Sequence, residues 1–250
     1  MVWHLRFWKS ESFSLLDDRV RDERRPAAVM GRDFDTLAKW ILRRGKEAGD
    51  LRPCPDHYVG MIDSFVPGSD FPERSEPSKR RAGPCFLMVL ESPHRSEFGR
   101  KRNGVWIARD PGPACGATGK AITRHISNVL DFVEYPNYGL VLINAVQYQC
   151  SRGQSPLNEK VRDENFVSIW NESGCENFME RLSTTHRVGD VIVNSCTKGK
   201  SKEAGELREL VQKAIDLAKL KGRTRTLRST HPASWGRSGK PKPAYFSHHN

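Results

Sequence analysis

Six consecutive apolar residues, Cys85-Phe86-Leu87-Met88-Val89-Leu90, follow a stretch rich in Pro, Ser, Gly and charge at 66–84. A strand with one wet face alternates apolar and polar residues. A short unbroken run bounded by loop residues instead predicts a strand buried on both faces, as in a parallel sheet. Gly139 to Val146 and Val191-Ile192-Val193 repeat the pattern, and Thr224 to Ser229 reads as a shorter, basic fourth strand. Helical spacing fills the intervals. It spans Thr118 to Phe132 (Ile122, Ile126, Val129), the stretch around Phe166, Trp170, Phe178 and Leu182, and Glu203 to Lys221 (Leu207, Val211, Ile215). Strand and helix in alternation predict a three-layer α/β/α fold with a central, mostly parallel four-stranded sheet.

Residues 66–250 are expected to form this α/β domain. Residues 1–65 are expected to be an N-terminal helical or leader extension packing on it, with a helix over Phe34 to Lys46 and a charged segment at 9–32. No apolar run is long enough to cross a bilayer. The first residues lack the core and cleavage site of a secretory signal, so a cytoplasmic location is expected. None of the six cysteines forms a C-x-x-C pair, which argues against a zinc finger or a compact iron–sulfur site. No metal or cofactor is expected, and the thiols read as buried and free. Gly199-Lys200-Ser201 is not a P-loop, because Asn194 stands where the first glycine belongs. The net charge of +11 and pI of about 9.5 favour a polyanionic partner.

In an open α/β sheet, ligands bind at the carboxyl ends of the strands. Those positions carry Glu91-Ser92-Pro93-His94 after the first strand and Asn144-Ala145-Val146-Gln147-Tyr148 after the second. His231-Pro232-Ala233-Ser234-Trp235 follows the fourth. A carboxylate, an amide and an imidazole on one edge make a polar pocket suited to a nucleobase. Ser195, Thr197 and Lys198, after the third strand, suit a DNA phosphate at a helix entrance.

These segments, in this order, resemble the uracil-DNA glycosylase superfamily over roughly residues 85–237. Leu90-Glu91-Ser92-Pro93-His94 is similar to the first motif, GQDPY or GEAPG. Pro113-Ala114-Cys115-Gly116-Ala117-Thr118-Gly119-Lys120 is similar to the PFVGxAG segment of the iron–sulfur branch. Leu142-Ile143-Asn144 matches the strand ending in Asn, and His231 to Trp235 matches HPSPL. The resemblance implies a base-flipping enzyme that hydrolyses the N-glycosidic bond. His231 would donate to the departing base, Asn144 would read its edge, and Glu91 would orient water. Asp110 is a distant alternative to Glu91, since Ser92 replaces the motif's carboxylate. Ser92, Pro93, His94, Ala114 and Tyr148 would bind substrate. Ser234, Trp235 and Arg237 would contact DNA, with Trp235 filling the gap left by the flipped base.

His94 stands at the family's pocket-closing Tyr and Ala114 at its base-stacking Phe. The pocket is therefore expected to admit a bulky modified base. The polar insertion from Arg95 to Asp110, including Glu97 and Arg109, would line its wider part. The expected activity is that of a monofunctional DNA glycosylase excising a 5-substituted or glucosylated hydroxymethyl pyrimidine. It would act as a monomer, in anti-phage defence, and leave an abasic site. No Lys is placed for lyase chemistry. Alternatives are uracil excision in DNA repair, a non-catalytic module that binds modified DNA, and a hydrolase of free nucleosides. Each residue also has a structural alternative: Glu91 as a cap or Arg partner, Asn144 as a turn residue, His231 as a surface residue before a Pro turn, and Trp235 as core.

Overall fold

The computed structural model describes residues 33–44, 50–130, 137–150, 158–199, 206–236 and 245–246. The three predicted apolar runs are strands, β2 (Cys85–Leu90), β5 (Gly139–Asn144) and β6 (Val191–Asn194), and the predicted basic strand is β7 (Arg225–Arg228). All four lie parallel, in the order β5-β2-β6-β7. Every residue of β2, β5 and β6 is buried, as an unbroken apolar run requires.

Period-two alternation divides these runs between two cores. Leu87, Val89, Val141, Ile143 and Ile192 pack with residues of α1 (Phe34–Arg44), α3 (Asn158–Ile169), α4 (Cys175–Thr185) and α5 (Leu207–Leu217). Phe86, Met88, Leu90, Leu142 and Val193 pack with Ile122, Ile126 and Val129 of α2 (Ala117–Val129). Helices thus cover both faces, and α3 passes into α4 through a π turn at Trp170–Gly174.

The sheet has six strands rather than the expected four. β1 (His57–Met61) pairs antiparallel with β5 at one edge, and β8 (Tyr245–Phe246) pairs antiparallel with β7 at the other. β1 comes from within the segment assigned to an extension, and α1 supplies Ala38 and Leu42 to the core. Residues Phe34–Asn250 form one compact unit. The charged leader at 9–32 lies outside the described residues. A separate two-stranded ribbon, β3 (Gly99–Arg102) with β4 (Val105–Ala108), occupies the insertion.

Counted along the chain, the parallel strands are ordered 2-1-3-4, so the winding direction reverses between β2 and β6. Adjacent crossovers leave that point in opposite directions and open a crevice at the carboxyl ends.

Candidate functional site

A cavity of about 440 Å³ lies at that crevice, within the ~300–1,000 Å³ range of small-ligand sites. Its wall brings together Glu91, Ser92, Pro93 and His94 after β2, Thr197 after β6, and His231 after β7. Three of the four strand ends therefore deliver their expected residues to one place.

Glu91 is 6% exposed. Its Oε2 accepts from the Thr197 N–H at 3.3 Å and lies 3.8 Å from His231 Nε2. Arg162 of α3 places Nη1 3.8 Å from Oε1. The carboxylate thus sits between an imidazole and a guanidinium. Both contacts are longer than a tight ion pair.

The two histidines are held alike. His231 Nδ1 accepts from the Ala233 N–H at 3.2 Å, and His94 Nδ1 accepts from the Ser96 N–H at 3.2 Å. Each ring caps a short 3-10 turn (Pro232–Ser234 and Arg95–Glu97). With Nδ1 occupied as an acceptor, the proton of the neutral ring resides on Nε2. Burial pushes the His94 pKa down, and the neighbouring Arg95 charge adds to this, which favours the neutral ring.

One carboxyl escaped the role assignments. Glu97 was expected only among the polar residues of the insertion, yet it is 4% exposed and lines the cavity. Asn144 Nδ2 and Cys54 Sγ each donate to its Oε2 at 3.5 Å. Burial raises its pKa to about 7, against the opposing effect of hydrogen bonds from the His94 and Ala114 main chain, Cys54 and Asn144. A carboxyl that titrates near neutrality in a cavity can accept or donate a proton at working pH. The sequence signal was a lone Glu in a basic insertion, three residues beyond His94.

Asn144 is fully buried, does not line the cavity, and turns its amide nitrogen to Glu97. Its Oδ1 is buried without a protein partner, as is Thr197 Oγ1. Such orphans are rare and call for a ligand, water or strain.

Other expectations are corrected. Trp235 is fully buried in the core with Ile122 and Ile126, and its Nε1 donates to the Thr230 carbonyl at 2.8 Å. It cannot enter a duplex without unpacking α2. Ser195 is fully buried, with its Oγ 3.4 Å from Ser229 Oγ, so it does not meet a phosphate. Tyr148 belongs to the core, edge-on to Phe34 at 5.9 Å between ring centroids. Ala114 is buried and adopts a φ of 53°. Ser234 Oγ donates to the His231 carbonyl and steadies its turn. Lys198 is exposed, 3.9 Å from Glu206. Asp110 is exposed and does not line the cavity. Only Ser96 and Glu97 of the insertion line it. Arg237 lies outside the described residues.

Among the described residues no cluster of His, Cys, Asp and Glu could hold a metal ion, and no helix is long and apolar enough to cross a membrane. No protein-family model, curated protein or solved structure matches this chain.

Proposed function

We propose that this cavity receives a flipped nucleotide and that the protein is a monofunctional DNA glycosylase acting on a 5-substituted cytosine. The observation that carries the reading is the convergence of Glu91, His94, Thr197 and His231 in one cavity at the switch point of the sheet. The net charge of +11 suits a polyanionic substrate.

Cleaving an N-glycosidic bond builds negative charge on the departing base and positive charge on the sugar. Imidazoles whose Nε2–H is fixed in direction are suitable donors to the base. His231, steadied by the Ala233 N–H, takes that role, with His94 beside it. Glu91 carries negative charge toward the sugar and orients the attacking water.

Glu97 takes the edge-reading place expected of Asn144. An ionised carboxylate only accepts hydrogen bonds, so it favours the amino group of cytosine over the carbonyl of uracil. Asn144 then positions Glu97.

The test is release of free base from four DNAs: uracil, hydroxymethylcytosine, glucosylated hydroxymethylcytosine, and unmodified. The wild type is expected to release a modified cytosine and to leave an alkali-labile abasic site, with release lost in His231→Ala. Release of uracil alone would overturn the cytosine reading. No release from any of the four, despite salt-sensitive binding, would leave a modified-DNA-binding module.

A further inference from the structure

The β3–β4 ribbon has no role in the chemistry above, yet it springs from the cavity wall. It begins two residues after Glu97, and the chain returns to the cavity at Ala117. Every residue from 100 to 108 is exposed. Val105, Trp106 and Ile107 are half of the large apolar side chains exposed among the described residues. Water does not favour such a cluster, so its position on a projecting ribbon points to a partner.

An isolated two-stranded hairpin is marginal in water, and this one is held at its root. The Arg109 N–H donates to the Phe98 carbonyl at 3.0 Å. Arg52 reaches the carbonyls of Arg109 at 3.2 Å and Phe98 at 3.4 Å. The Trp106 ring covers Gly99, where a Cβ would lie 2.6 Å from the ring, and the Arg95 guanidinium stacks on the same ring, 4.1 Å from its centroid. Asn103 (φ 49°) and Gly104 (φ 81°) turn the tip through two left-handed residues, which matches the twist of the strands.

Cross-strand register puts Arg100 opposite Ile107 and Arg102 opposite Val105 on one face. That face alternates guanidinium with β-branched apolar groups. Segment 95–110 carries five Arg and Lys, and its only exposed carboxylate is Asp110. A two-stranded ribbon fits a DNA groove, and apolar side chains at such sites wedge between base steps. With Trp235 in the core, the expected wedge is missing from the 231–235 turn.

We propose that the β3–β4 hairpin enters duplex DNA beside the cavity, with Arg100 and Arg102 on phosphates and Val105 and Ile107 against the base step next to the extruded nucleotide. This rests on the DNA-binding part of the proposed function and not on bond cleavage.

The test uses the full chain and a duplex carrying hydroxymethylcytosine with 2-aminopurine on its 3′ side. Affinity is followed against salt, and unstacking by 2-aminopurine fluorescence. Arg100→Ala/Arg102→Ala is expected to flatten the slope of log affinity against log salt by about 1.8, at about 0.9 per phosphate contact. Val105→Ser/Ile107→Ser is expected to leave the slope unchanged and to lower the fluorescence gain several-fold. Both double variants change only exposed residues. Unchanged slope and fluorescence in both variants would overturn the proposal. So would hairpin-dependent binding to anionic lipid vesicles with DNA binding unaffected. Base release that is insensitive to the hairpin removes this proposal and leaves the glycosylase standing. Hairpin-dependent unstacking without release from any substrate does the reverse. Failure of the wild type to bind DNA removes both.

Discussion

The two ends of the parallel sheet bury charge in different ways. At the amino end, Asp190, which precedes β6, is closed in. Its Oδ2 accepts from Arg80 Nη2 at 2.9 Å and from the Arg187 N–H at 2.7 Å, while Oδ1 accepts from the Cys85 N–H at 2.8 Å. Both side chains of the Arg80–Asp190 pair have no exposure. At the carboxyl end, Glu91 lies 3.8 Å from the Arg162 guanidinium and from the His231 ring, and Glu97 holds side-chain donors at 3.5 Å, both beside an open cavity. Short, closed contacts fasten elements together. Long contacts around a void leave capacity for another molecule to complete them.

That contrast can be broken by substitution. Asp190→Ala leaves Arg80 buried and unpaired, and is expected to cost about 3–5 kcal/mol in urea unfolding. Trp235→Ala should cost a similar ~3–5 kcal/mol, the range for an aromatic removed from a core. A loss below about 1 kcal/mol in the Trp235 variant would mean that the ring is a surface group after all. At the other end, His231→Ala is expected to lower base release about 10²–10³-fold, the magnitude for a lost transition-state donor. Its unfolding free energy should move by less than about 1 kcal/mol. A variant that loses activity only because it unfolds would erase the distinction between the two ends.

Glu97 sharpens the comparison with a smaller effect. Its pKa is raised in the folded state from 4.5 to about 7, so the native protein binds the proton more tightly than the unfolded chain. Stability therefore falls as pH rises through this window and is flat below it. Glu97→Gln should abolish that fall. It should raise Tm by a few degrees at pH 8, for roughly 1 kcal/mol, and leave it unchanged near pH 4. Selectivity should follow the same titration. Below pH 7 the protonated Glu97 can donate as well as accept, so preference for cytosine over uracil should relax on acidification. A pH-independent preference would remove Glu97 from the base edge.

β2, β5 and β6 were legible because burial on both faces writes an unbroken apolar run into the chain, whereas β7 is basic and buries only Leu227. Glu91, His94 and His231 were legible because strand ends are predictable places. The antiparallel edge strand His57–Met61 was not, since an edge needs no apolar run and Gly60 interrupts its pattern. Trp235 beside Ser234 and Gly236 looks the same in sequence whether it packs on α2 or projects into solvent. Ser195 and Tyr148 follow strands within one and four residues, but the chain there is still inside the core. Glu97 sits in a run of basic residues whose other members line a solvent-exposed ribbon, and only the fold turns this one inward. The ribbon itself was hidden by its charge, which masks the alternation of Arg100 and Arg102 with Val105 and Ile107 across the strands.

The most direct measurement is single-turnover release of base from glucosylated hydroxymethylcytosine DNA at pH 7.5, read as alkali-labile abasic sites. Wild type is run beside Glu91→Gln and His231→Ala, with folding of each checked by urea titration. The account predicts release by wild type and at least a hundredfold loss in both variants at unchanged stability. Release that survives in both folded variants would contradict it, since the chemistry would then lie outside the cavity at the β2–β6 switch point.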